Sequence, residues 1–337
     1  MSTKAVSTFT ENDIRPDHLL KGQNESVEAD LGRMLEHKSE FIYVTCPACG
    51  EDKSRPAFDK KGINYVVCEN CETMYVNPRP TPEILETYYA TSENYAYWNK
   101  HIFPASEEVR REKIFRPRAE RVAEFCSRYG MPEKNLLEVG AGFGTFCQEV
   151  INLGIFETVY AVEPTPDLAE TCRKRGLNVI EKPIEKVTGL ENIGVIASFE
   201  AIEHLFSPAD FVQQCSRILP TGGLFILSCP SGKGFDVVVM KGVSDTVDHE
   251  HLNYFHPESL SHLVNRFGFE VLEVQTPGKL DAELVRKKVL AGEFDLQEPF
   301  LRQVLIDEWE RVGGEFQNFL ADNGLSSHMW LVARKTD

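Results

Sequence analysis

The chain has 337 residues, of which 42% are hydrophobic and 26% are charged, the balance of an ordinary globular protein. Its length suits one main domain with smaller additions. No apolar run approaches the roughly 20 residues needed to span a bilayer, and the first residues lack the apolar segment of a secretory signal. The formal net charge of −16 disfavours binding to the phosphate backbone of nucleic acids. We therefore expect a cytoplasmic protein.

Residues 1–40 are polar and lack a sustained hydrophobic period, apart from a short helical pattern around 27–35. This composition predicts a loosely docked leader. Two basic clusters occur further along, at 110–118 and 286–288. Such clusters are typical of solvated helix faces, and they could also hold a small anionic substrate.

Residues 41–80 contain two C-x-x-C pairs, each of which follows a β-rich run. Cys46 and Cys49 form the first pair, and Cys68 and Cys71 form the second after 18 intervening residues. This spacing is typical of a tetrahedral zinc site, and four thiolates leave no open position for catalysis. A redox pair is the alternative, but it would lie at the start of a helix, and neither pair does. The pattern predicts a zinc ribbon with a structural Zn²⁺.

Residues 81–130 read as helices around a tyrosine-rich segment, a connector or lid. From residue 135 strands alternate with helices, the pattern of βαβ units and a parallel sheet. Residues 281–323 are mainly helical, and a last strand is predicted at 327–334. The predicted strands of the sheet are 135–140, 157–163, 177–181, 193–199, 222–229 and 269–276, and the helices between them are 144–153, 166–175, 207–218 and 257–267.

A glycine-rich turn follows the first strand of this sheet, with Gly140, Gly142 and Gly144 just after Glu138. Glycine permits positive φ and close approach of a ligand, and a helix N-terminus offers unpaired N–H groups. Glu163, at the end of the next strand, is placed to accept ribose hydroxyls. The glycine spacing here is G-x-G-x-G, whereas the dinucleotide-binding fingerprint is G-x-G-x-x-G, so the turn fits that fingerprint less well. These residues alone leave nicotinamide and S-adenosylmethionine (SAM) cofactors open.

Two further motifs, S-F-E-A-I-E-H-L-F-S-P at 198–208 and L-P-T-G-G at 219–223, complete a pattern that resembles the class I SAM-dependent methyltransferases over about 135–280. The resemblance implies methyl transfer from SAM and an α/β, Rossmann-like seven-stranded sheet with an antiparallel last strand. It places the three glycines and Glu138 at the methionine part of SAM and Glu163 at the ribose. The remaining SAM contacts that it implies are Pro183, Ile184 and Glu185 at the adenine, and Phe199 and Glu200 at the sulfonium.

The segment 245–255, D-T-V-D-H-E-H-L-N-Y-F, follows the fifth strand. Together with the zinc module it resembles the sugar C-methyltransferases, which carry H-E-H-x-x-Y-F. The resemblance implies His251 as general base beside Glu250, with His249 in the same catalytic cluster. The substrate contacts it implies are Tyr95, Tyr97, His204 and Tyr254. A metal site at the two histidines, with Asp248 or Glu250, and a purely structural loop are alternatives.

The implied acceptor is a small polar metabolite, anionic or sugar-like, such as a nucleotide-activated sugar, methylated at carbon or oxygen. The chain departs from that family in having only the 281–323 helices where the family has a larger C-terminal domain. An RNA methyltransferase is an alternative, disfavoured by the neutral charge balance of residues 41–79. A SAM-binding scaffold without turnover is another.

The predicted organisation is a polar leader (1–40), a zinc-ribbon module (41–80), a helical connector or lid (81–130), a Rossmann-like SAM-binding domain (131–280), a helical insertion (281–324) and the final strand of the SAM domain (325–337).

Overall fold

The computed structural model describes residues 11–336, so the predictions made for residues 1–10 and 337 lie outside the described residues. Its strands are β1 Ser54–Lys60, β2 Ile63–Cys68, β3 Met74–Val76, β4 Asn135–Val139, β5 Thr158–Val162, β6 Asn178–Ile180, β7 Ile193–Phe199, β8 Leu224–Pro230, β9 Asn253–Tyr254, β10 Phe269–Gln275 and β11 His328–Lys335.

The helices are α1 Glu11–Ile14, α2 Asp17–Glu36, α3 Pro82–Thr91, α4 Glu93–Tyr97, α5 Phe103–Arg110, α6 Arg116–Tyr129, α7 Thr145–Leu153, α8 Pro166–Lys174, α9 Pro208–Ile218, α10 Phe235–Met240, α11 Pro257–Asn265, α12 Asp281–Leu290, α13 Pro299–Arg302 and α14 Trp309–Asp322. Two π-helical turns, Trp98–Ile102 and Arg111–Phe115, join α4, α5 and α6 into one continuous helical stretch. Among these helices none combines the length and the apolar character that a membrane span requires.

Seven strands form the main sheet in the order β6-β5-β4-β7-β8-β11-β10. The first five are parallel to one another, and β11 is antiparallel to both β8 and β10. The predicted α/β fold with an antiparallel last strand is confirmed. Because β4, β5, β7 and β8 are parallel, their carboxyl ends meet at one edge, which is where ligands bind in such sheets.

The hydrophobic core lies on both faces of this sheet. Alternate residues of the central strands point to opposite sides. Leu137, Ile196 and Phe225 belong to the core on one face. Leu136 and Ile226 belong to the core on the other. Strands β7 and β8 are buried along their whole length, which explains their nearly continuous apolar sequence.

A second, four-stranded antiparallel sheet has the order β1-β2-β3-β9. The first three strands come from the cysteine-rich segment, and β9 comes from far along the chain. Met74 pairs with Tyr254, and Tyr75 pairs with Asn253. Buried Arg79 ties the same regions together, since its guanidinium donates to the carbonyls of Phe206 (3.0 Å) and Leu252 (3.4 Å). The cysteine-rich module is thus built into the body of the protein.

The N-terminal segment differs from the loosely docked leader that its polarity predicts. Helix α2 has 20 residues, and Asp30, Leu31 and Met34 on one side of it are buried. Leu31 packs in a core with Ile63 and Tyr65 of β2. The expectation of a loosely docked leader was wrong for this helix. Three buried positions within 20 residues make only a weak hydrophobic pattern, and the surface that buries them comes from a distant part of the chain.

The predicted helical insertion after residue 280 forms its own small core. Ala282, Val285, Leu305 and Leu320 are buried there against Met240 of α10. Buried Gln317 joins the pieces by accepting from the Ala282 N–H (2.9 Å). The insertion therefore packs beside the carboxyl end of β8, next to the strand edge that carries the cavity described below.

Candidate functional site

The glycine turn after β4 has the conformation that its sequence requires. Gly140, Gly142 and Gly144 have φ of +80°, +54° and +72°, values that favour glycine. A Cβ on Gly144 would lie 2.4 Å from Leu177 Cδ1, whereas a Cβ on Gly142 would meet nothing within 4 Å. Gly144 thus allows the turn to pack on its neighbours, and Gly142 leaves an open face for a ligand.

Glu163, at the end of β5, is bound to that turn. Its carboxylate accepts from the N–H groups of Gly142 (2.8 Å) and Thr165 (2.9 Å). The side chain is almost fully buried, and burial raises its pKa. It therefore holds the glycine turn against the neighbouring strand.

Glu138 lies beneath the turn at the end of β4 and accepts a hydrogen bond from Cys147 Sγ at 2.9 Å. Burial raises the pKa of Glu138 to about 8. Within residues 11–336 the Glu138 carboxyl group forms no ion pair, and a ligand ammonium group would supply a cationic partner.

A cavity of about 720 Å³ opens at the carboxyl ends of the parallel strands. This volume falls within the roughly 300–1,000 Å³ of small-molecule sites. Glu138, Gly140, Gly142, Phe199 and Glu200 all contribute to its lining. Five of the residues predicted to contact SAM therefore lie around one cavity.

Other predicted SAM contacts lie elsewhere. Ile184 is buried in the core, and Pro183 and Glu185 are exposed. None of these three lines the 720 Å³ cavity, and neither does Gly144 or Glu163. The structure therefore brings the predicted sulfonium contacts together with three of the four predicted methionine contacts, and it leaves Gly144 and the predicted ribose and adenine contacts outside the lining of this cavity.

Phe199 and Glu200, at the end of β7, face the cavity. The Arg118 guanidinium lies 4.4 Å above the Phe199 ring. Glu200 has φ +51°, rare for a residue with a side chain, and its carboxylate accepts from Ser228 Oγ at 2.6 Å. The Glu200 N–H donates to the Ser228 carbonyl at 2.9 Å, and this bond holds the strained backbone in place.

The basic cluster at 110–118 divides between two environments. Arg111 and Arg116 both pair with Glu149, as expected for structural side chains. Arg110 and Arg118 line the cavity, and Arg110 donates to the Ile14 carbonyl at 2.7 Å. Burial and neighbouring arginines lower the pKa of Arg110 to about 9. This wall of the cavity is positively charged.

The second part of the site is centred on Glu250, which is 8% exposed. Its Oε1 accepts from Tyr88 Oη (2.8 Å) and Asn94 Nδ2 (3.0 Å). Its Oε2 accepts from Tyr95 Oη at 3.0 Å. Three neutral donors therefore surround a buried carboxylate, an arrangement that stabilises negative charge and fixes the side chain.

His249 lies beside this carboxylate. Its Nδ1 is 2.7 Å from Asp248 Oδ1, and its Nε2 is 2.9 Å from Tyr88 Oη. Burial opposes a charge on the ring, but the contact with Asp248 outweighs it and raises the pKa of His249. The ring is thus a fixed part of the hydrogen-bond network.

His251 has a different environment. Its Nδ1 lies 3.1 Å from the Thr246 carbonyl oxygen, and its ring packs edge-on against His204 at 4.7 Å. Tyr254 is also close, with ring centroids 5.8 Å apart. Burial, together with neighbouring His204, lowers the pKa of His251 to about 4. A carbonyl can only accept, so Nδ1 carries the proton and Nε2 is left as a base.

The two tyrosines predicted to contact the substrate bind different parts of the protein. Tyr95 binds Glu250, whereas the Tyr97 hydroxyl donates to the Leu19 carbonyl of α2 at 3.2 Å. The Tyr97 ring lies where a Cβ on Gly22 would be. Tyr97 therefore anchors the N-terminal helix, whereas Tyr95 joins the Glu250 cluster, because the two tyrosines leave one helical turn in different directions.

The four paired cysteines come together as their spacing predicts. Cys46 Sγ lies 3.5 Å from Cys71 Sγ, and Cys49 Sγ lies 3.6 Å from Cys68 Sγ. All four sulfur atoms are within 4.8 Å of one another. Tetrahedral Zn–S bonds of about 2.3 Å require sulfur atoms about 3.8 Å apart, so this donor set fits zinc.

The cysteine cluster touches the histidine segment. Cys71 lies three residues before the start of β3, its sulfur lies 3.1 Å from Thr73 Oγ1, and its carbonyl lies 2.8 Å from His256 Nε2. Strand β3 comes next in the chain and pairs with β9. The cysteine-rich module and the 248–256 segment are therefore one structural unit.

Comparison with known proteins gives the domain its family. A model of the methyltransferase domain matches residues 110–274. A "Probable S-adenosylmethionine-dependent methyltransferase" of Mycolicibacterium smegmatis is 29% identical over 149 residues, which are 41% of this chain and 52% of that protein. A ubiquinone biosynthesis O-methyltransferase of Caulobacter sp. is 28% identical over 101 residues, 28% of this chain and 39% of that protein. Residues 110–274 form a class I SAM-dependent methyltransferase domain.

The chain spans about half the length, or less, of these two curated relatives. Among solved structures, SAM-dependent methyltransferases of Archaeoglobus fulgidus and Clostridium acetobutylicum each give a TM-score of 0.47. The first is 18% identical and covers 70% of this chain and all of its own. The second is 10% identical and covers 71% of this chain and 99% of its own. The fold assignment of the methyltransferase domain rests on its strand order.

Several site residues of the methyltransferase domain and its additions escape sequence reasoning. Tyr88 and Asn94 bind Glu250, and Asp30 of α2 binds the segment that carries Asn94. The tyrosine-rich segment was the available signal for Tyr88. Nothing in the polar sequence around Asp30 distinguishes it from a solvated residue.

Two groups beside the methyltransferase cavity have the donors of a metal site. One is Glu203, His204 and His251, and the other is Asp248, His249 and Glu250. The predicted metal alternative would have used His249 and His251 together, but the structure divides them between the two groups. Both carboxylate oxygens of buried Glu203 lack a hydrogen-bond partner within residues 11–336, and burial raises its pKa well above the ordinary value.

Proposed function

We propose that the protein transfers a methyl group from SAM to a small polar acceptor, at carbon or oxygen, with His251 as general base. One observation carries the proposal. Thr246 lines the cavity beneath the glycine turn, and its carbonyl fixes the ring of His251. A base is thereby attached to the rim of a cavity that has the lining of a SAM site.

SAM fits the residues present. The open face at Gly142 lets the methionine part approach the backbone, and the carboxyl group of Glu138 would receive its ammonium group. Glu163 would hold the ribose, with residues 183–185 at the adenine. Bound SAM supplies an electrophilic methyl group on a sulfonium, which Phe199 and Glu200 would face.

His251 is suited to the base. Its Nδ1–H donates to the Thr246 carbonyl, so Nε2 carries the lone pair that would take a proton from the acceptor. The lowered pKa of about 4 keeps the ring neutral at pH 7. A base of such low pKa is weak. The acceptor must therefore carry a C–H or O–H group that is already acidic, such as a C–H beside a carbonyl.

Glu250 and His249 support the base in this proposal. Tyr88, Asn94 and Tyr95 hold the Glu250 carboxylate in place, so it acts as a fixed negative charge and a potential contact for the acceptor. Tyr254 and His204 pack on His251 and orient its ring. This agrees with the Glu-His pair that the H-E-H-x-x-Y-F resemblance implies.

The acceptor is anionic or sugar-like in this proposal. Arg110, Arg118 and Arg121 line the cavity, and within residues 11–336 their guanidinium groups stack on aromatic rings without a paired carboxylate. Bound SAM adds a further net positive charge, so an acceptor with a carboxylate or phosphate would balance the site. A nucleotide-activated sugar satisfies this requirement.

The four cysteines are proposed to hold a structural Zn²⁺. The closed set of four thiolates leaves no position for the acceptor. The metal would fix the β2–β3 turn and, through β9, the histidine segment. The thiolates also fit the reducing cytoplasm, which remains the predicted location.

The test begins with SAM binding, measured by calorimetry on the metal-loaded protein. Candidate acceptors, nucleotide-activated sugars first, are then incubated with methyl-labelled SAM, and the labelled product is identified by mass spectrometry. We expect saturable SAM binding and a labelled anionic product. Deuterium from solvent that enters the acceptor before methylation indicates transfer to carbon. SAM binding with no methyl acceptor in any metabolite pool would favour the scaffold alternative instead.

A further inference from the structure

The N-terminal helix α2 reaches the Glu250 network through Asp30. Asp30 is 1% exposed, and its carboxylate accepts from Ser92 Oγ (2.6 Å) and from the N–H groups of Glu93 and Asn94 (2.9 Å each). Arg33, one turn along α2, forms an ion pair with the same carboxylate. Within residues 11–336, the hydrogen bonds and ion pair of Asp30 are therefore with Arg33 of its own helix and with residues 92–94.

Residues 92–94 begin the continuous helical stretch that runs from α4 to the end of α6. The first N–H groups of a helix have no partner inside the helix. Ser92 caps the stretch by accepting from the Tyr95 N–H at 3.1 Å, and Asp30 accepts from the two N–H groups before it. A carboxylate at this position also interacts favourably with the positive end of the helix.

The same turn of helix supplies two of the three donors to Glu250. Asn94 Nδ2 and Tyr95 Oη each lie 3.0 Å from a Glu250 oxygen. The path from Asp30 to Glu250 thus crosses one residue, Asn94, whose N–H binds Asp30 and whose side-chain amide binds Glu250. Asn94 is itself buried.

We propose that Asp30 is a positioning residue for the methyl-acceptor site. Asp30 fixes residues 92–95, and Asn94 and Tyr95 of this segment then fix the Glu250 carboxylate. The inference rests on the proposed catalytic part of the Glu250–His251 segment. The inference gives helix α2 a part in the active site, although Asp30 is not among the residues that line the cavity.

A second contact supports the arrangement independently. Tyr97 donates to the Leu19 carbonyl and packs on Gly22, where a Cβ would lie 2.4 Å from the Tyr97 hydroxyl oxygen. Helix α2 is therefore attached to the 92–97 turn at two points about two and a half turns apart along its length. Two attachments define the orientation of the turn as well as its position.

Hydrogen exchange followed by mass spectrometry tests the path without any acceptor. Asp30→Asn keeps one acceptor oxygen, and Asp30→Ala keeps none. We expect exchange to become about tenfold faster at residues 92–98 in Asp30→Ala and about threefold faster at 245–251, with Asp30→Asn in between. Glu25→Gln is the control, since that carboxylate lies on the same helix, is 70% exposed and pairs with Lys21 on the helix surface.

Tyr95→Phe separates the two steps of the path. It removes one bond to Glu250 and leaves Asp30 in place, so exchange should rise at 245–251 while residues 92–94 stay protected. Unchanged exchange at 245–251 in both Asp30 variants would overturn the proposal and leave Asp30 as a local helix cap. Loss of protection across the whole chain would show general unfolding, and the less disruptive Asp30→Asn then decides.

Once an acceptor is known, the kinetic result must agree. We expect Asp30→Asn to lower kcat about five- to tenfold, with the SAM KM unchanged within about twofold. A rise in the SAM KM alone would contradict a role at Glu250. If exchange shows the path and no acceptor is methylated by the native protein, the proposed function fails while the coupling from Asp30 to Glu250 stands.

Discussion

The two sides of the candidate site are built in different ways. The SAM side comes from consecutive βα turns of one sheet, with the glycine turn, Glu163 and Phe199 at the ends of neighbouring strands. The proposed acceptor side comes from segments far apart in the chain: α2, residues 88–95, the 246–251 loop and the cysteine module that pairs with β9.

Because of this difference, we expect the two sides of the site to respond differently to substitutions. The SAM side is held by the main sheet, whose core lies on both faces, and a local change there should alter SAM affinity alone. The acceptor side depends on contacts between separate segments, and damage to one segment should reach the others. The following experiments test the separation, in order of decreasing expected effect.

Loss of the metal should have the largest effect. Cys68→Ser removes one of four ligands, and structural zinc contributes about 10–16 kcal/mol of binding free energy in small zinc domains. We expect metal content, measured by plasma mass spectrometry, to fall below about one tenth per chain, with methyl transfer lost. SAM affinity should stay within about threefold because none of the four cysteines is among the residues that line the cavity. Cys126→Ser, a buried thiol outside the cluster, should retain the metal. Loss of SAM binding together with the metal would contradict the separation.

Replacement of the proposed base comes next. His251→Asn should lower kcat about 10²- to 10⁴-fold, the usual contribution of a general base. SAM affinity by calorimetry should not change. His37→Asn, at an exposed position, is the control. A kcat within about threefold of the native value would remove His251 from the mechanism.

On the SAM side, Glu163→Ala removes a carboxylate that binds the glycine turn and is proposed to hold the ribose. Hydrogen bonds to a charged group contribute about 1.5–3 kcal/mol, so SAM Kd should rise roughly 10- to 100-fold. The acceptor KM should remain near its native value. Glu181→Ala, which removes an exposed carboxylate paired with Arg173, should leave SAM affinity unchanged. An equal rise in both constants would show that the two sides are not independent.

The pH dependence follows from His251. Its pKa of about 4 in the folded protein lies below the ordinary value, so the base stays neutral until the pH approaches 4. We expect kcat/KM to be constant from pH 8 to about 5 and then to fall about tenfold per pH unit below 4. The unfolded chain binds a proton on this residue at higher pH, so its contribution to stability is lost as the pH falls from about 6.5 to 4. A midpoint near 6.5 for kcat/KM would indicate an exposed, unperturbed histidine.

The smallest effect is expected at Tyr97. Tyr97→Phe removes one hydrogen bond to the Leu19 carbonyl and keeps the ring on Gly22. Activity should stay within about twofold, whereas Tyr95→Phe, which loses a bond to Glu250, should lower kcat about tenfold. Equal effects of the two variants would restore the sequence prediction that both tyrosines line the acceptor pocket.

The sequence predicted the parts whose information is local. Periodicity and the glycine turn identified the alternating strands and helices, because a parallel strand must be apolar and a tight turn must be glycine. The C-x-x-C pairs predicted a cluster of four thiols, and their sulfur atoms lie within 4.8 Å of one another, because two thiolates separated by two residues can reach one point in space. The H-E-H-x-x-Y-F segment likewise marked Glu250, whose carboxylate three side chains from residues 88–95 surround.

Only the tertiary structure decided which residues surround that segment. Asp30 and Asn94 are polar residues in polar surroundings, and they become buried because distant surfaces close over them. Tyr95 and Tyr97 have the same local sequence signal, yet the orientation of one helical turn sends one to Glu250 and the other to α2. The division of His249 and His251 between two clusters also depends on long-range packing, to which local sequence patterns are insensitive.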